Sequence, residues 1–121
     1  MLFRSQLKKD PWIALPNLPP SYRDDLKRYD PAAEAKKVDL PMLVLQGERD
    51  YQVTMKDFAL WRAALGSRRN AEFRSYPKLN HLFVVGDGAS NPSEYQKQGH
   101  VSAEVIDDIA TWIQKAKGTA I

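Results

Sequence analysis

The stretch that most constrains this chain is Met42-Leu43-Val44-Leu45-Gln46, a short apolar run closed by Pro41 in front and Gly47 behind. A run of this kind, too short for a helix and without polar alternation, predicts a strand over residues 42–46 covered on both faces, as in a parallel sheet. A helix is predicted next, over residues 54–65. Thr54 is its N-cap with Asp57 as the capping-box partner, and Val53 and Phe58 stand at the two positions of a hydrophobic staple. Phe58, Trp61 and Leu65 repeat at helical spacing, and Gly66 reads as a left-handed stop. Residues 71–76 alternate in polarity up to Pro77 and predict a second strand, exposed on one side. The connection between the strands is long enough for a crossover helix, so they are expected to run parallel in a right-handed β-α-β unit.

A last helix is predicted over residues 102–117. Ser102 is its N-cap, Val101 and Ile106 form the staple, and Val105, Ile109, Trp112 and Ile113 form an apolar stripe. Lys115 and Lys117 lie at its negative end, and Gly118 closes it. Residues 1–40 have another texture. Six of the eight prolines fall between Pro11 and Pro41, so this segment reads as irregular, with short helical pieces at 21–29 and 31–37. Residues 41–121 carry the regular α/β pattern. Trp12, Trp61 and Trp112 read as core or buried-face residues.

Composition narrows the chemistry. The chain of 121 residues has no cysteine, which removes disulfides, thiolate metal sites and a cysteine nucleophile. The 18 basic and 15 acidic side chains are evenly spread, with 8 and 6 of them in the first forty residues. No basic stripe emerges, the dibasic pairs, Arg68-Arg69 among them, read as solvated surface, and nucleic acid is not an expected partner. No apolar stretch reaches the length of a membrane span or a signal-peptide core, which gives a cytoplasmic expectation. Asp50, His81, His100, Asp87 and Glu94 include no close-spaced ligand pair, so neither a metal nor another cofactor is expected. His100, just before a helix cap, reads as structural.

In a parallel sheet both strands end on the same edge, where ligands bind. The loop after the first strand is Gly47-Glu48-Arg49-Asp50-Tyr51-Gln52-Val53, and the loop after the second contains Pro77-Lys78-Leu79-Asn80-His81. Asp50 and His81 are therefore expected to meet. A carboxylate on imidazole Nδ1 leaves Nε2 to take a proton from a nucleophile, which is two thirds of a catalytic triad.

The first loop resembles the G-x-x-D-x-x-V acid loop of α/β-hydrolases, and Tyr76-Pro77-Lys78-Leu79-Asn80-His81-Leu82-Phe83 resembles their histidine loop. The likeness is nearest to the dienelactone hydrolase and acyl-aminoacyl-peptidase-like serine hydrolases. It extends through Asn91-Pro92-Ser93-Glu94-Tyr95, Gly99-His100-Val101 and the run Val105 to Ile113, and backwards to Tyr29-Asp30-Pro31. The resemblance implies a partial α/β-hydrolase fold, Asp50 as the acid, His81 as the general base, and ester, thioester or peptide-like substrates. The departure is equally definite. None of the seven serines lies in a G-x-S-x-G elbow. The expectation is the last third or so of a serine hydrolase, inactive alone. The alternative is a non-catalytic module that self-associates, as a dimer, through an uncovered sheet edge or apolar face.

Overall fold

The structure, a computed structural model, describes residues 19–119. Residues 1–18, Trp12 among them, lie outside the described residues. Two short helices come first, α1 (Pro20–Arg28) and α2 (Pro31–Ala35). Both start on proline, whose fixed φ suits a first turn and whose missing N–H is not needed there. Asp30 caps α2 by accepting from Ala33 N at 3.1 Å. Neither helix buries a residue.

The centre is a β-α-β unit of β1 (Met42–Gly47), α3 (Met55–Leu65) and β2 (Ala71–Tyr76). The strands pair in parallel from Met42↔Ala71 to Gly47↔Tyr76. At the start of α3 the Asp57 carboxylate accepts from Thr54 N at 3.0 Å. The helix packs on the sheet through the edge-to-face pair Phe58–Phe73, with centroids 6.0 Å apart, and the Arg62 guanidinium lies over both rings. Leu65 is fully buried (0% exposed) at its last turn. This arrangement of a parallel sheet with helices is a partial α/β fold.

Three expectations for the β-α-β unit need correction. Gly66 is right-handed (φ −64°, ψ −19°), not a left-handed stop. The chain turns instead as Arg68 N donates to Leu65 O at 3.0 Å, and the Arg68 side chain is drawn inward. That guanidinium binds the carbonyls of Val38 at 2.8 Å and Leu40 at 3.2 Å and lies 3.7 Å from Asp39, so Arg68 fastens the chain before β1 to the turn before β2. It is not mere solvated surface. Thirdly, Met42 to Leu45 are half-buried rather than covered on both faces, because among the described residues β1 has β2 as its sole strand neighbour.

Beyond β2 come a 3₁₀ helix (Pro92–Gln96) and α4 (Ala103–Thr119), which runs through Gly118 instead of ending there. Val105, 1% exposed, joins Tyr76 and Leu79 in the core, with Leu45 and Phe83 packed against them. Asp108 accepts from the Tyr76 hydroxyl at 2.7 Å and pairs with Arg74, and Lys115 pairs with Glu72 at 2.8 Å. The stripe on α4 docks only in part: Val105 is buried and Trp112 half-buried, whereas Ile106, Ile109 and Ile113 are exposed. The staple partners Val101 and Ile106 are exposed as well. Leu65→Ala is expected to lower stability by about 3 kcal/mol, since little around a fully buried leucine can collapse into the space. Chemical denaturation followed by circular dichroism checks this.

Candidate active site

Gly47 ends β1, Tyr76 ends β2, and the two loops leave the same edge of the ladder. They then touch along their backbones. Glu48 N donates to Tyr76 O at 2.9 Å and Arg49 N to Leu79 O at 3.0 Å. A Cβ at Gly47 would lie 2.5 Å from the carbonyl oxygens of both Leu79 and Asn80, so glycine alone permits this approach.

The acid loop is built around its aspartate. Asp50 Oδ1 accepts from Gln52 N at 2.8 Å and Val53 N at 2.9 Å, which closes a turn on the side chain itself. The buried Gln46 amide donates to Gly47 O at 2.9 Å and Val53 O at 2.7 Å, tying the two ends of the loop together. Asp50 Oδ2 then lies 2.8 Å from His81 Nδ1. An ionised carboxylate can only accept, so in this contact Nδ1 carries the proton and Nε2 is the basic nitrogen. The Asp50 side chain is 6% exposed and that of His81 33%, so the carboxylate is enclosed while the ring reaches solvent.

The histidine loop is held by its neighbour Asn80. Asn80 Oδ1 accepts from Leu82 N at 3.0 Å and Val84 N at 3.1 Å, closing the backbone around His81. Phe83 has φ 57°, a left-handed conformation unfavourable for a bulky residue, and its ring packs edge-on against Tyr76. Phe83 O accepts from Ser102 N at 2.9 Å, which links the loop to the start of α4.

The structure brings Asp50 and His81 together, and it adds residues to which the sequence reading gave no part in this pair. Arg49, inside the acid loop, donates to Gly88 O at 2.8 Å and Asp87 O at 3.2 Å and pairs with Glu94. Glu94 also accepts from Asn80 Nδ2 at 3.2 Å and from Ser90 Oγ at 2.6 Å. Hydrogen bonds from Ser90, Arg49 and Asn80 hold its carboxyl down at about 2. Tyr51 stacks on Tyr95, with centroids 6.1 Å apart, beside this cluster. His100 is exposed. Among the described residues no group of three His, Asp or Glu side chains could hold a metal ion, and no helix is long and apolar enough to cross a membrane.

A histidine braced by a buried carboxylate, both on loops at the carboxyl edge of a parallel sheet, is the arrangement that serine hydrolases of the α/β type use to carry their base. The model of the prolyl oligopeptidase family matches residues 4–116, and the chain belongs to that family of α/β-hydrolase-like serine hydrolases. Over 114 residues it is 43% identical to Esterase EstD of Thermotoga maritima. That alignment takes in 94% of this chain and 27% of the relative, so the chain spans about a quarter of that protein's length. No solved structure was found to match.

The Glu94 carboxyl generates a pH dependence. Its value in the folded chain, about 2, lies below the ordinary 4.5, so between these limits the unfolded chain binds more protons. The stability it contributes is complete above pH 4.5 and is lost as pH falls toward 2. Denaturation midpoints measured across this window should fall with acid in the native chain, and the slope should be shallower in Glu94→Gln.

Proposed function

We propose that this chain supplies the acid and base of an acyl-transfer site that hydrolyses esters, thioesters or peptide-like substrates. Asp50 orients His81 and steadies the imidazolium that forms when Nε2 takes a proton from a serine hydroxyl; the same nitrogen later returns the proton to the leaving group. The observation that carries this reading is the 2.8 Å contact between His81 Nδ1 and a carboxylate oxygen whose partner oxygen is already held by two backbone amides. Family membership and the likeness to an esterase support it.

The serine itself is not among these 121 residues in any G-x-S-x-G setting. An aspartate and a histidine without an activated oxygen, or donors for the oxyanion, lack the largest contributions to acyl-transfer catalysis. The chain by itself is therefore inactive in this reading, and its site is completed by a nucleophile from outside these 121 residues. Two experiments test the two halves of this statement. The purified chain is expected to show no turnover of activated esters and no labelling by a fluorophosphonate; stoichiometric labelling with turnover overturns the claim of inactivity. Exchanging this chain for the matching 114 residues of the Thermotoga esterase should give an active chimera, in which His81→Ala lowers kcat by about a thousandfold or more. An active chimera indifferent to His81→Ala overturns the role of the histidine.

A second reading rests on a different observation. Ile106, Ile109 and Ile113 line one exposed strip of α4, and Val38 and Leu40 are exposed before β1. In this reading the chain self-associates through that apolar surface or the open edge of β1, as a dimer. Light scattering is expected to give twice the chain mass at micromolar concentration, and a monodisperse monomer counts against it.

A further inference from the structure

Glu94 lies 45 positions from Arg49 and 14 from Asn80, yet it binds both, and these are the residues directly before Asp50 and His81. Its Oε1 pairs with Arg49, the neighbour of Asp50. Its Oε2 accepts from Asn80 at 3.2 Å, the neighbour of His81. The Ser90 hydroxyl donates to the same oxygen at 2.6 Å, so the carboxylate is itself held in place. We propose that Glu94 is the positioning residue of this site, clasping the acid loop to the histidine loop so that Asp50 and His81 stay in register.

The ion pair is well placed for this. The side chain of Arg49 is 8% exposed and that of Glu94 17%, so water does little to screen them. The guanidinium is committed on its other edges to the carbonyls of Gly88 and Asp87, which hold it in one orientation. Gly86 completes the enclosure, because a Cβ there would overlap the Arg49 guanidinium. On the histidine side, Asn80 is 2% exposed and passes the constraint on: its amide nitrogen donates to Glu94 while its oxygen holds Leu82 N and Val84 N, on either side of the unfavourable Phe83 backbone. Removing the carboxylate charge leaves a buried guanidinium uncompensated and frees the Asn80 amide, so both loops loosen at once. Glu94 touches no reacting atom; its effect is transmitted through Arg49 and Asn80.

This inference rests on the pair reading proposed above, and the experiment separates the two. In the ¹⁵N-labelled chain, the exchange of the His81 Nδ1 proton with water is followed by NMR, and Asp50→Asn establishes that the signal depends on the carboxylate. Glu94→Gln is expected to speed that exchange about tenfold or more, the loss of one charge-assisted hydrogen bond. Gly86→Ala, which displaces the guanidinium and leaves Glu94 in place, is expected to act in the same direction. Leu65→Ala serves as the control for general destabilisation, since it weakens the core without touching either loop. Slow exchange retained in both Glu94→Gln and Gly86→Ala overturns the inference and leaves the Asp50–His81 pair standing. Equal acceleration in Leu65→Ala, at a matched loss of thermal midpoint, also overturns it, because the role is then merely structural. A native chain without any Asp50-dependent signal overturns the pair and the clasp together.

Discussion

The parallel ladder between β1 and β2 is the constraint from which the site follows. Parallel strands end on the same edge, and the register from Met42↔Ala71 to Gly47↔Tyr76 brings both ends to the same level. The loops therefore leave side by side, and Gly47 lets them approach to backbone contact. Residues 31 positions apart then have a short distance left to bridge, and an aspartate three residues beyond Gly47 bridges it. An antiparallel pairing would place one loop at each end of the strands and no histidine within reach. The helical crossover α3 thus matters to chemistry although it contributes no site residue: it is what allows the strands to run parallel.

What the sequence made legible was local. The two strands announce themselves through composition and their boundaries, α3 through its capping pair, and α4 through its apolar spacing, because each signal lies within a few residues of the feature it causes. Asp50 and His81 were legible for a related reason, since strand ends in a parallel sheet are where such groups can meet. The misjudged features depend on partners remote in sequence. Gly66 was read as a left-handed stop because glycine often fills that role, but the turn is organised by Arg68, whose side chain reaches back 28 and 30 residues to Leu40 and Val38. Glu94 and Arg49 meet across 45 residues, and nothing in the local pattern of either distinguishes a part-buried pair from two solvated charges. The partial cover of β1 was hidden from the strand itself, because burial is decided by how many neighbours a strand has and not by its own sequence.

Apolar packing and polar bonding are unevenly divided over the molecule. On α4, Val105 is deeply buried while Ile106, Ile109 and Ile113 are exposed, and the helix is tied to β2 largely through Asp108, Arg74, Tyr76, Lys115 and Glu72. Exposed ion pairs such as Lys115–Glu72 contribute little. The Tyr76–Asp108 bond is better sheltered, and burial together with that acceptor pushes the Tyr76 hydroxyl well above its usual range. The docking of α4 therefore leans on its first turns, where Val105 enters the core and Ser102 N binds Phe83 O. That is the same end of the helix that steadies the histidine loop.

Order is thus concentrated where the chemistry would be. Around Asp50 and His81, the side chains of Gln46 and Asn80 make hydrogen bonds that close the acid loop and the histidine loop, and Arg49, Asn80 and Glu94 are bonded to one another, while the apolar faces of β1 and α4 go partly uncovered. A fold that needed only stability would gain more from covering those faces, since each buried aliphatic side chain is worth about 2 kcal/mol, than from burying an ion pair whose desolvation offsets much of its attraction. Geometry is what the polar network secures and apolar burial does not: hydrophobic contact is non-directional, whereas a carboxylate gripped by two amides and a histidine gripped by its neighbours have few alternatives. The directional bonds of this chain accordingly gather around the Asp50–His81 pair, and its apolar surface on α4 is left partly uncovered.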